Sequence, residues 1–220
     1  MALITIIIIG ITVLFSLRGF NDYNLFERFK FQPQAITQGK QYDRLLMSGF
    51  LHVDMAHLIF NMITLYFFAT PVIQFFAIQF GRDIATGSVV FAVIYLLSIL
   101  GGNFTALFFQ KNNPVYSAVG ASGGVMGIVM AAIAIFPNEL QIYGFIPGWL
   151  FAIIYLGYSV YGVQKQLGNI GHEAHLGGAI VGLVIPLVIY PELFEQNMKY
   201  ILGMLVPIAA LLILAIRGRK

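Results

Sequence analysis

VGASGGVMGIVMAAIAIF, residues 119–136, runs without a charged residue yet opens with a serine set among glycines. It is just long enough to cross a bilayer, which takes roughly 17–20 apolar residues in a helix. The hydroxyl of Ser122 has two readings. A serine in a membrane helix commonly bonds to a carbonyl one turn back, and small residues also let two helices touch. At a helix start, a serine is also a candidate nucleophile when a base can reach it. The choice depends on what the rest of the chain brings to Ser122.

The rest of the chain is as apolar as this stretch. Of 220 residues, 59% are hydrophobic and 10% charged, where a soluble domain carries about 25% charged residues. Seven stretches have the length and character of spans: 1–17, 57–80, 88–109, 119–136, 145–161, 174–190 and 200–216. The first lacks a basic leader, and no A-x-A cleavage pattern follows before Arg18, so it reads as a retained helix. With open strand edges forbidden in lipid, the fold class is all-α: one polytopic membrane helical bundle. There are no cysteines, so no disulfide or thiolate chemistry is available. The net charge of +3 forms no basic stripe, and nucleic acid is not an expected partner. The expected surroundings are a lipid bilayer.

Alternating spans place the short links 81–87, 137–144 and 191–199 on one side. The segment 18–56 and the connections 110–118 and 163–173 fall on the other. In the long first loop, NLFERFKF (24–31) and YDRLLMSGFLHVDM (42–55) repeat apolar residues at three- and four-residue spacing. That predicts short helices lying at the interface.

Polar residues at membrane depth cost free energy and call for a reason. His57 and Asn61 are four apart and share a face of the second span. Ser122 opens the fourth span and His175 the sixth, so all these groups fall on one side of the membrane. Glycines join them. Gly120, Gly123, Gly124 and Gly127 recur around Ser122, while Gly178 and Gly182 form a G-x-x-x-G three residues after His175. If these stripes face each other, Ser122 and His175 lie at the contact and Ile128 faces outward. A neutral imidazole close to a hydroxyl generates a nucleophile. His57, Asn61 and the Ser122 N–H would supply donors to a developing oxyanion.

No acidic residue within the spans completes a triad, and Glu173 points elsewhere on its helix, so a Ser-His dyad is the economical reading. G-x-S-x-G is formally matched at 120–124, but a nucleophile elbow needs a parallel sheet. HEAH (172–175) lacks the spacing of H-E-x-x-H, and a zinc site would need further ligands on the same side, where His52 and His57 are available. No metal and no cofactor are expected.

Three motifs in order, HLIFN (57–61), GASG (120–123) and AHLGGAIVG (174–182), resemble those of the rhomboid intramembrane serine proteases. The likeness covers the six spans from 1 to 190. It implies a six-helix catalytic core at 1–190, with its first loop at 18–56. A linker and an additional C-terminal helix follow at 191–220. It implies Ser122 as nucleophile, His175 as general base, and His57, Asn61 and Ser122 around the oxyanion. Arg44 and His52 would brace the first loop, and Gly120, Gly123, Gly178 and Gly182 the helix contacts. The family's Trp-Arg pair is here Asp43-Arg44, and its aromatic residue four after the serine is here Met126. The implied substrates are transmembrane segments of other proteins. The alternative is a non-catalytic relative that binds or routes such clients. A transporter would show charged groups at mid-membrane and repeated halves, and neither appears.

The resemblance places the protein in a cell (inner) membrane with the active site facing outside. The charge rule points the other way. Arg18, Arg28, Lys30, Lys40, Arg44, Lys111, Lys165, Arg217, Arg219 and Lys220 share the active-site side, against Arg82 and Lys199 opposite.

Overall fold

The computed structural model describes residues 2–165 and 171–217, with backbone alone for 211, 212 and 214–217. Met1, the middle of the 163–173 connection, and the terminal Arg219 and Lys220 lie outside the described residues. The described chain is helical almost throughout. It runs α1 (Leu3–Asn21), a folded first loop, α5 (Met55–Gln79), α6 (Ile84–Gln110), α7 (Ser122–Ile135), α8 (Gly148–Lys165), α9 (His172–Ile189) and α10 (Glu192–Arg217). The loop holds α2 (Tyr23–Phe29), α3 (Pro33–Thr37), α4 (Arg44–Met47) and a 3₁₀ turn (Ser48–Phe50).

Aspartates start several of these helices. Asp22 accepts from the Leu25 N–H at 3.0 Å and Asp54 from the His57 N–H at 2.7 Å. Asp83 takes both the Ala85 and Thr86 N–H groups at 3.0 Å. Each satisfies donors that the first turn leaves without partners. Arg18, placed in the loop by the sequence reading, belongs to the last turn of α1.

By length and composition, α1, α5, α6 and α9 can each cross a membrane. The helix that begins at Ser122 is shorter than the sequence predicts, with 14 residues. At ~1.5 Å per residue it extends about 21 Å, against a hydrocarbon core of about 30 Å. It is also the most enclosed element. Every residue from Gly123 to Ile135 is buried except Met126. Ile128 therefore does not face outward; its exposure is 0%. The reason is that α7 is walled by α5, α6 and α9 together, so it has no free face.

The contact among α6, α7 and α9 is made by backbone. A Cβ at Gly178 would fall on the Gly123 carbonyl, and one at Gly182 on the Gly127 carbonyl. A Cβ at Gly102 of α6 would fall on the Ala174 carbonyl, and the Ser98 hydroxyl fills the space beside Gly127. Lipid gives apolar side chains little reason to prefer protein to bilayer, so close backbone approach is what selects these neighbours.

The 137–147 connection forms a two-stranded hairpin, β1 (Gln141–Ile142) with β2 (Ile146–Pro147), that the sequence reading left as a plain link. Tyr143 and Gly144 turn it with φ of 54° and 79°, the paired left-handed geometry that suits tight hairpins.

The first loop is fully folded. The Arg44 side chain is buried and donates to the Gln41 side chain at 2.7 Å and to the carbonyls of Glu27 and Lys30 at 2.9 and 2.6 Å. Phe31 and Ala118 exchange backbone hydrogen bonds at 2.9 and 3.1 Å, docking this loop on the segment that leads to Ser122. At the other end of the chain, α10 contributes Leu193, Ile201, Met204 and Ile208 to the same core as α5–α9. Asn197, at a kink in α10, donates to the carbonyls of Ala134 and Ile135 at 3.0 and 3.2 Å. It thereby caps the far end of α7.

Candidate active site

The starts of α5, α7 and α9 converge. His175 sits in the first turn of α9, and its Nε2 lies 2.6 Å from Ser122 Oγ at the head of α7. Close behind this pair the two helix backbones touch, Gly178 against the Gly123 carbonyl and Gly182 against the Gly127 carbonyl. Gly120 precedes the serine with φ of +139°, a conformation that favours glycine. A Cβ there would lie 2.8 Å from His57 Cε1, 3.1 Å from its Nε2 and 3.6 Å from Ser122 Oγ. The gap between His57 and the serine stays open only because residue 120 has no side chain.

Asn61 follows His57 by one turn of α5 and is 3% exposed, yet its amide Nδ2 has no hydrogen-bond partner among the described residues. Buried amides almost always find partners, so an orphan donor in this position is informative. The Ser122 N–H, at the first position of its helix, is one of the donors a helix leaves unpaired. Glu173 is buried, and it accepts from the Gln110 amide at 2.6 Å rather than serving His175. Among the described residues, His175 has one side-chain hydrogen bond, and Ser122 makes it. Met126 stands half-buried four residues beyond the serine.

His52 connects this cluster to the first loop. Its ring packs edge-on against His57, with centroids 4.9 Å apart, and its Nε2 accepts from the Ala121 N–H at 3.3 Å. Burial, and then the neighbouring His57, lower its pKa from 6.5 to about 3 despite the pull of Asp54. His52 is therefore a neutral acceptor at working pH. His172, one turn before His175, is also buried, with its ring against Tyr158 at 5.4 Å and its Nε2 without a partner among the described residues. Among the described residues, no group of three His, Asp or Glu side chains is placed to hold a metal ion.

Several contributors escaped the sequence reading. Ser98, Gly101 and Gly102 make α6 a third partner to the glycine contact. Ser48 accepts the Gly120 N–H through its carbonyl at 3.0 Å. The Asn103 amide, from α6, holds the Leu45 carbonyl at 2.7 Å and the Ser48 hydroxyl at 3.1 Å. The signal for the α6 glycines was present in the sequence as an adjacent Gly pair four residues from a serine.

Comparison with known proteins agrees with this architecture. A Rhomboid domain matches residues 39–192, well over half of the chain. RHOMBOID-like protein 12, mitochondrial, of Arabidopsis thaliana is 28% identical over 76% of this chain and 52% of its own length. The rhomboid protease GluP of Bacillus subtilis is 28% identical over 69% of this chain and 26% of its own. Inactive RHOMBOID-like protein 8 of Arabidopsis thaliana is 31% identical over 67% of this chain and 38% of its own. The chain thus spans about half or less of the length of these relatives. With its apolar helices and this domain match, the chain is a multi-pass membrane protein that belongs to the rhomboid family.

Proposed function

We propose that the protein is an intramembrane serine endopeptidase that cleaves peptide bonds in or near transmembrane segments of other proteins. The observation that carries this reading is the 2.6 Å contact between His175 Nε2 and Ser122 Oγ. In this mechanism His175 takes the serine proton as Oγ attacks the scissile carbonyl carbon. The tetrahedral oxyanion draws hydrogen bonds from His57, the Asn61 amide and the Ser122 N–H, and the orphan Asn61 donor supports that role. His175 then protonates the leaving amine. Water, deprotonated by His175, hydrolyses the acyl-enzyme and restores Ser122. With Glu173 bonded elsewhere, the dyad works without a carboxylate. Arg44 and His52 keep the first loop in place, and the glycines Gly120, Gly123, Gly178 and Gly182 hold the dyad's spacing. The catalytic unit in this reading is 1–190, with 191–220 as an added helix that steadies it. A helix hides its scissile carbonyl in its own hydrogen bonds, so helix-weakening residues in substrates are favoured.

A fluorophosphonate probe, with mass spectrometry of the labelled peptide, tests the reading. The label is expected on Ser122, and both Ser122→Ala and His175→Ala should lose labelling and cleavage of a transmembrane substrate while keeping their helicity. A relative named as inactive gives the non-catalytic alternative a specific basis. Cleavage that survives in Ser122→Ala removes the mechanism. A folded parent that never labels favours the client-binding reading.

For location we propose a cell (inner) membrane, with the site facing outward. The chain has no cysteine, so Val115→Cys, at a position 87% exposed on the active-site side, reports orientation cleanly. Impermeant maleimide should label it in intact cells. Labelling only after lysis reverses the orientation.

A further inference from the structure

The turn that leads into Ser122 is held from the first loop, and the hold continues into α1. His52, fully buried, accepts the Ala121 N–H at Nε2, while its Nδ1 lies 2.9 Å from Ser16 Oγ. Ser16 Oγ is also 2.8 Å from the Phe50 carbonyl. Elimination assigns the protons. A carbonyl only accepts, so the single hydroxyl proton of Ser16 goes to Phe50. The Ser16 oxygen is then the acceptor for an Nδ1–H on His52. A backbone N–H only donates, so Nε2 carries no proton. One tautomer of neutral His52 satisfies both neighbours: the Ala121 N–H keeps Nε2 free of a proton, and Ser16 supplies the acceptor that the Nδ1–H needs in a buried site.

Ser16 differs from the other hydroxyls beside it. The buried face of α1 carries Thr5, Thr12, Ser16 and Gly19. Thr12 returns its hydroxyl to the Ile8 carbonyl of its own helix at 2.8 Å, and the Thr5 hydroxyl has no partner. Among these described residues, Ser16 alone reaches out of its helix to the loop that holds the nucleophile. A packing role would need no such bond.

We infer that Ser16 is a positioning residue for the catalytic serine. By accepting the Nδ1–H of His52 it anchors the ring whose Nε2 holds the Ala121 N–H, and with it the turn that aims Ser122 and its N–H. The inference rests on the serine-protease reading above.

The test is an isosteric pair in the full chain, in detergent or bilayer. Ser16→Thr keeps the hydroxyl and Ser16→Val replaces it with a methyl of the same shape, so any crowding is common to both. Ser16→Val should label with fluorophosphonate at least about tenfold more slowly than Ser16→Thr, since small misplacements of reacting groups cost rate steeply. In ¹⁵N-histidine spectra, the His52 Nδ1–H should carry the shift of a hydrogen-bonded donor in the parent and in Ser16→Thr, and lose it in Ser16→Val. Ser16→Ala, which adds no atom, gives the same two readings if the branched pair fails to fold. Equal labelling of Thr and Val variants, in a parent that labels at Ser122, overturns this inference alone. So does an unchanged His52 spectrum in the variant without a hydroxyl. A parent that never labels overturns the proposed function and this inference with it.

Discussion

The helices that carry Ser122 and Ser16 are both strongly apolar, and the molecule uses them in opposite ways. In α7 nearly every side chain is buried, and its neighbours approach to backbone contact. In α1 the large residues Leu3, Ile6, Ile11 and Leu14 point away from the protein, and the buried face is made, apart from Ile8, of small and hydroxylated residues. In water the large apolar residues would be inside. In lipid, hydrophobicity no longer tells inside from outside, and what marks a helix contact is small size or a hydrogen bond. α7 meets the backbone of α9 directly and the side chains of α6 at its glycines. α1 has one narrow stripe, and Ser16 is the residue on it that reaches the site.

The sharpest way to break this comparison is to add bulk at the glycine contact. Gly182→Leu would drive a side chain into the Gly127 carbonyl, where even a Cβ has no room. The two backbones must part. Overpacking of this kind costs about 1–3 kcal/mol in stability, but the effect on activity should be larger. A shift of about 1 Å between reacting groups can cost 10²-fold in rate. The expected outcome is a protein that inserts and stays helical yet labels at Ser122 at least about 10²-fold more slowly. Parent-like labelling would mean that the α7–α9 contact does not set the distance between Ser122 and His175.

Next in size is Asn61, where function and stability should separate. Removing one oxyanion donor is expected to lower the cleavage rate about 10–10³-fold in Asn61→Ala. The amide Nδ2 has no partner among the described residues. Its removal therefore breaks no hydrogen bond, and the midpoint of thermal unfolding should change little. A residue that merely glued helices would show the reverse, a lower midpoint with near-normal turnover. Measuring both on one preparation decides between them.

The far end of α7 offers a smaller effect. Asn197→Ala leaves the carbonyls of Ala134 and Ile135 without the amide that caps them. Lost caps cost about 0.5–2 kcal/mol, so unfolding should come earlier. Labelling at Ser122, near the opposite end of the 14-residue helix, should fall by less than in Gly182→Leu. Loss of labelling as deep as in the glycine variant would show that α10 sets the position of the serine and does more than steady the bundle.

How much of this was legible in the sequence follows from the same physics. Span positions came from hydropathy, and the convergence of three helix starts from their alternation. The facing glycine stripes are legible in their spacing, while the pairing of Gly123 with Gly178 and Gly127 with Gly182 comes from the structure. The reading failed at Ile128. An apolar residue on a membrane helix looks the same whether lipid or protein covers it, and what decides is a further wall, here α6, whose Tyr95, Ser98 and Ile99 lie against Gly124 and Gly127 of α7. The hairpin at Tyr143 and Gly144 was missed because two residues per strand leave no alternation to read. Ser16 was passed over because its bonds to Phe50 and His52 join residues 34 and 36 positions away, which no local pattern encodes.

The smallest predicted effect comes from the same helix as the largest. Val184 lies two residues beyond Gly182 and is 41% exposed, turned from α7 toward the bilayer. Val184→Leu adds one methylene to a face that meets lipid, where a larger apolar side chain displaces an acyl chain of similar polarity and gains or loses little. Labelling at Ser122 and the unfolding midpoint should both match the parent within error. The contrast with Gly182→Leu then rests on direction alone, since both changes place a leucine in the same helix within one turn. If Val184→Leu slowed labelling as Gly182→Leu does, bulk anywhere on α9 would suffice, and the glycine stripe would lose its special standing. If it slowed cleavage of a transmembrane substrate but not labelling, the outer face of α9 would be where the substrate rests.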